Sequence, residues 1–164
     1  MQTLTLDPSD RAVTIGHGSL VVPAAAERNF TVAAAYLSRD TRMRDIIERA
    51  EALPYELDLE IVHDGNDRYD PGSHAVYWDP YSALQTTSGA TQSPALGLGH
   101  ELDHATAPPR TLEAGERRYD VAYDNAEERR VITGSETHAA RTLGEGVRHD
   151  HAGRAFTVDS PIAH

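Results

Sequence analysis

Cysteine is absent from the 164 residues, which excludes a disulfide framework, a thiolate metal site and a cysteine nucleophile. Any metal must therefore be held by His, Asp, Glu or Tyr. Lysine is absent as well, and all 15 basic residues are arginine, although lysine is ordinarily among the commonest residues. Two readings of that absence stand together: a GC-rich genome that favours Arg codons, and selection inside a eukaryotic cell against ubiquitination, which uses lysine as its acceptor. No apolar run reaches the roughly eighteen residues of a membrane-spanning helix. The start, MQTLTLDPSDR, has neither the basic end nor the apolar stretch of a secretory signal peptide, so export by that route is not expected. Against the 15 arginines stand 26 acidic residues, a formal net charge of -11. Phosphate binding needs clustered cations, so neither nucleic acid nor an anionic membrane is expected as the main partner.

What is there fits one domain with a core of its own. The stretch VTIGHGSLVV, residues 13 to 22, predicts a short hairpin around Gly16-His17-Gly18. From Ala24 to Leu53 apolar residues recur at helical intervals, with Ser38-Arg39-Asp40 as a break between two helices. LDLEIVHD at 57 to 64 alternates as a half-buried strand, and HAVYWDP at 74 to 80 supplies a second, expected as its hairpin partner and as the sheet edge. Val76, Tyr77 and Trp78 would then line a cleft beside that edge. Residues 81 to 93, rich in Ser, Thr, Gly and Gln, read as a loop. Ser93-Pro94 starts a helix that Pro108-Pro109 must end. A polar connection is expected to follow, then helices over 124 to 134 and 136 to 143, stopped by Gly134 and Gly144. The expected fold is α+β, a small antiparallel or mixed sheet packed on the 94 to 107 helix and further helices.

That helix carries LGHELDHA, residues 98 to 105. Shuffling this composition would give H-E-x-x-H in roughly one chain in thirty, so its setting must decide its meaning. Ala95, Leu98, Leu102 and Ala105 form the apolar stripe, and His100 and His104 share another face one turn apart. Two imidazoles so placed can hold one zinc ion, while Glu101 reaches the attacking water as base and then acid. A third protein ligand is needed, and the extended pattern with a third histidine is missing, because residues 105 to 110 are Ala-Thr-Ala-Pro-Pro-Arg. The acidic pair Glu127-Glu128 on the following helix offers it. Glu128 shares a face with Val131 and Ile132 and is the first choice; Glu127 is its rival. Tyr123, and with it Tyr119, is a candidate to stabilise the oxyanion, and Asp124 a candidate to orient a ligating histidine. The other histidines, His151 included, read as ordinary polar residues.

Taken together, LGHELDHA, NAEERRVITGSE and ARTLGEGVRHDHAG resemble the NleD-like zinc metallopeptidases that animal and plant pathogens deliver by type III secretion. The similarity is strongest over residues 95 to 153, and EERRVITGSE is its narrowing part. The chain departs from the family in its shortness and in a longer spacing from the acidic pair to Gly134, so the third ligand stays open between Glu128 and Glu127. The resemblance implies a zincin-like domain over 13 to 164, a secretion segment over residues 1 to 12, and cleavage of a host protein inside the host cell. A monomer is expected. Two other readings are a non-catalytic module with a zinc-stabilised fold and a zinc hydrolase of a small substrate.

Overall fold

Gly18, at φ +60°, turns the chain between β1 (Ile15–His17) and β2 (Leu20–Val22), and a Cβ there would meet the Glu51 carbonyl oxygen at 2.3 Å. Only glycine fits both the left-handed conformation and that approach. The computed structural model describes residues 15–164. The expected 1 to 12 segment, and residues 13 and 14 of the expected hairpin, lie outside the described residues. Helices α1 (Glu27–Leu37) and α2 (Thr41–Glu51) follow with the break where it was expected. Asp40 makes that break: its carboxylate accepts the Arg42 and Met43 backbone N–H groups, both at 3.0 Å, and so caps α2.

Strands β3 (Leu57–Ile61), β4 (Arg68–Asp70) and β5 (Ala75–Trp78) complete a five-stranded sheet in the order β1-β2-β3-β5-β4. The two expected strands exist, but they are parallel neighbours and not a hairpin. The hairpin partner of β5 is β4, three residues within what reads as one long turn. Asp70 closes the β4–β5 turn by accepting from Gly72 N at 2.9 Å and Ser73 Oγ at 2.7 Å. Since β4 occupies the far side of β5, the edge belongs to β4. The cleft placement of residues 76 to 78 is overturned with it. Val76 and Trp78 are wholly buried, and Tyr77 turns to the other face, where the Arg68 guanidinium lies 4.0 Å from its ring centroid.

Leu20, Leu57, Leu59, Val76 and Trp78 pack on Phe30, Leu37, Met43 and Ile46 from α1 and α2, and on Leu98 and Leu102 from α3 (Pro94–Thr106). Gly99 lets these layers approach: a Cβ there would stand 2.7 Å from Met43 Sδ. Trp78 Nε1 donates to the Pro94 carbonyl at 2.8 Å, fastening the sheet to the first turn of α3. Trp78→Phe removes that bond and part of the packing, and should cost about 2 kcal/mol in urea unfolding. Emission from Trp78, the only tryptophan, should report unfolding and stay unchanged when a peptide occupies the cleft.

Residues 81 to 93 are not simply a loop. They form β6 (Ser82–Thr86) and β7 (Thr91–Gln92), and β6 pairs with β10 (Gly153–Thr157) near the C-terminus. Nor is the stretch after α3 only a polar connection, because Pro109 opens α4 (Pro109–Glu116) at its first turn, where its missing N–H costs nothing. A small pair, β8 (Tyr119–Asp120) and β9 (Asp124–Asn125), leads into α5 (Ala126–Val131). Gly134, non-helical at φ -97° and ψ -105°, breaks the helix where expected, and helical backbone resumes just beyond it. Helix α6 (Thr137–Leu143) stops at Gly144, left-handed at φ +74° as a helix-ending glycine should be. The whole is an α+β domain with mixed sheets.

Candidate metal centre

Helix α3 begins where its sequence says. Ser93 Oγ accepts Leu96 N at 3.2 Å, and Glu145 accepts from Ser93 N at 2.5 Å and Ser93 Oγ at 2.8 Å. A helix fixed at its start places His100, Glu101 and His104 on one buried stretch, with exposures of 5%, 8% and 5%. The two Nε2 atoms face each other at 3.0 Å.

Asn125 caps α5 by accepting Glu128 N at 2.9 Å, so Glu127 and Glu128 fall in its first turn, about 100° apart around the axis. That rotation gives them different partners. Glu128 reaches the Nε2 side: Oε2 is 3.0 Å from His100 Nε2 and Oε1 is 3.2 Å from His104 Nε2. Glu127 goes behind, 3.1 Å from His104 Nδ1, and accepts both Arg130 nitrogens at 2.9 and 2.6 Å. Gly115 permits this placement, since a Cβ there would stand 2.9 Å from Glu127 Cβ.

The His100 ring is backed by a residue that the sequence reading missed. The kink at Gly134 turns Glu136 inward, where it is buried with Oε1 3.8 Å from His100 Nδ1 and 3.2 Å from Arg148 Nε. The same kink lets Ser135 donate to Asp103, whose other oxygen accepts Arg130 at 2.8 Å. Arg130 thereby ties α3, α5 and the kink around His104.

Nδ1 of His104 donates to Glu127, Nδ1 of His100 lies between the Arg148 guanidinium at 3.4 Å and Glu136 Oε1 at 3.8 Å, and the two Nε2 atoms converge on one point. Glu128 adds an oxygen there, and its buried Oε2 has no hydrogen bond. Ligand atoms around a tetrahedral zinc stand about 3.3 Å apart when the bonds are 2.0–2.1 Å. The separations of 3.0, 3.0 and 3.2 Å among these three groups therefore fit a small divalent cation. Glu101 stands one step back, its Oε1 4.0 Å from His100 Nε2, and it forms with His100 and His104 a buried group whose ligand atoms all lie within 4.8 Å of one another, the alternative set to the one with Glu128.

Left to protons alone, the cluster takes them up. Burial opposes a charged His104, yet hydrogen bonds with Glu127 and Glu128 outweigh it and raise its pKa to about 9. His100 goes the same way: burial opposes its charge, and Glu128 and Glu136 prevail. Burial alone would raise Glu128, but both imidazoles hold it below the usual carboxylate range. Glu127 is brought to about 2 by Arg130 and His104, again against burial. Glu101 is pushed up, chiefly by burial.

The centre lies in a cleft of about 390 Å³ between β4, β6 and α5. His151, read from sequence as ordinary, lines it with Nε2 3.5 Å from Glu128 Oε2, and Arg148 lines it beside His100. Asp67 lines it too, its carboxyl raised by burial to about 8. Tyr123 is not brought into the cleft: its ring packs with Arg129, 5.7 Å from the guanidinium. Tyr119 is 80% exposed, and Asp124 is an exposed turn residue at φ +72°, so neither backs a histidine. Comparisons with known proteins supply no relative, since no family model, curated protein or solved structure matches the chain.

Proposed function

We propose that this chain is a zinc-dependent endopeptidase of zincin type that acts on a protein of a host cell after type III secretion. The observation that carries the hydrolytic reading is the convergence of His100 Nε2, His104 Nε2 and the Glu128 carboxylate, with Glu101 buried beside them. The destination in a host rests on the resemblance of the three sequence segments and on the missing lysines.

His100, His104 and Glu128 would hold the ion, and Glu127 and Glu136 would orient the two rings. When bound, zinc supplies Lewis acidity, which polarises the scissile carbonyl and makes water a nucleophile near neutral pH. Glu101 takes one proton from that water as the new C–O bond forms. It returns the proton to the amine nitrogen as the C–N bond breaks. Burial raises the proton affinity of Glu101, which suits a group that must first accept a proton and then give it up. His151 and Arg148, at the cleft wall, are the donors available to negative charge developing on the carbonyl oxygen. The outer edge of β4, which pairs only with β5 among the described residues, offers backbone groups to an extended substrate.

Metal analysis of the purified protein should give one zinc per chain, and incubation with a mixed peptide library should create new termini that chelation suppresses and zinc restores. Stoichiometric zinc with no new termini from peptides or from host-cell protein would overturn the peptidase reading.

A further inference from the structure

Most carboxylates around the centre have a cationic or imidazole partner: Glu127 has Arg130, Glu136 has Arg148, and Glu128 has the two histidines. Asp67 has none. Its Oδ1 accepts the Asp79 backbone N–H at 2.7 Å, while Oδ2 has no hydrogen-bond partner among the described residues. Oδ2 lies against α3 at Gly97, 2.8 Å from where a Cβ would stand, one turn ahead of His100. Gly97 is thus the residue that admits this carboxylate to the cleft. Arg68 does not neutralise its neighbour, since its guanidinium donates to the Asn66 carbonyl and stacks on Tyr77.

Asp79 joins Asp67 to Gly65, where a Cβ would stand 2.9 Å from Ser82 Oγ and 3.4 Å from Ala155 Cβ, so small uncharged residues of the cleft lining lie on this side. The cations in the lining are engaged elsewhere, Arg68 by Asn66 and Tyr77 and Arg148 by Glu136. A second acid, Glu116, stands at the exposed rim. We propose that this end of the cleft is a specificity pocket for a basic side chain, Arg or Lys, next to the scissile bond, with Asp67 as its counter-ion. The position relative to the scissile bond rests on the peptidase reading; the recognition of a guanidinium or ammonium group does not.

Two measurements separate those claims. In the first, the zinc-loaded protein is given a mixed peptide library, and the new termini should show Arg or Lys enriched at one fixed position. In the second, zinc-loaded Glu101→Gln protein is titrated at pH 9, where the Asp67 carboxyl, raised to about 8, is ionised, with fluorescein-labelled hexapeptides that carry arginine or its neutral isostere citrulline. Arginine should bind about 10- to 100-fold more tightly, the range for pairing a buried charge. Asp67→Asn keeps an oxygen for the Asp79 N–H, and should abolish both the enrichment and the arginine preference without changing zinc content or melting temperature. Cleavage without basic preference, or a preference that survives Asp67→Asn, overturns the pocket and leaves the peptidase. Arginine-selective, Asp67-dependent binding with no cleavage keeps the pocket and overturns the peptidase. Neither cleavage nor selective binding overturns both.

Discussion

Glu101→Gln is expected to lower peptide cleavage about 10³-fold, a typical contribution of general acid–base catalysis, while one equivalent of zinc stays bound. The amide fills the same buried space but cannot accept the water's proton. The geometry makes zinc retention the discriminating half of this result. Glu101 Oε1 lies 4.0 Å from His100 Nε2, whereas Glu128 approaches the two imidazoles to 3.0 and 3.2 Å. Were Glu101 a ligand, the substitution would strip the metal together with the activity. Were the chain a binding module with a zinc-stabilised fold, the substitution would leave partner affinity and every measured function intact. In the active protein the base must be ionised, so kcat/KM should fall on the acid side as Glu101 takes up a proton. A variant that cleaves at the wild-type rate would remove Glu101 from the mechanism.

Local signals made the ligand helix legible. Ser93-Pro94 states its start, Pro108-Pro109 its end, and the apolar stripe its orientation, so the shared face of His100 and His104 follows from spacing, whereas their burial comes from the elements that cover that face as well. Face assignment put Glu128 inward with Val131 and Ile132, whereas Glu127 is the more buried of the two, at 2% side-chain exposure against 18%; Glu128 reaches the Nε2 atoms from the more open side. Nor did face assignment reveal that Glu127 backs His104, because that contact depends on where α5 crosses α3 and on the room that Gly115 leaves. What stayed hidden had no local pattern. β4 is three residues between turn signals, and β10, exposed along its length, carries no alternation and gains its partner β6 from some seventy residues upstream. Gly134 does end one helical stretch, as glycine usually does; that helical backbone resumes at once and so delivers Glu136 to His100 is set by the geometry of the kink, which no residue pattern announces. His151 was passed over for a related reason: its place at the cleft wall depends on distant partners, with its own N–H on the Ala122 carbonyl at 2.9 Å and β10 paired with β6.

Zinc should raise the melting temperature of the wild-type protein by roughly 10 °C at a thousandfold excess over its dissociation constant, since the ion binds the folded site by mass action. Glu128→Ala should remove most of this rise, because it deletes a group that faces both Nε2 atoms. Glu127→Ala should remove only part, since losing the partner that orients a ligating histidine typically weakens metal binding about 10- to 100-fold. The rise should also depend on pH, in a window set by the cluster. His104 has its metal-free pKa raised from 6.5 to about 9, and His100 is raised well above 6.5 as well. A raised histidine pKa stabilises the metal-free fold fully below about 6.5 and ceases to do so as pH passes through the folded value. Zinc must displace those protons, so its stabilisation should be small near pH 6 and grow until about pH 9, beyond the range where ordinary histidines have finished titrating. Calorimetric scans of the wild type and both variants, with zinc and with chelator at pH 6, 7.5 and 9, measure all of this together. A larger loss in Glu127→Ala than in Glu128→Ala would exchange the roles of the two glutamates. If both His100→Ala and His104→Ala kept full zinc content, the site would not be a metal centre.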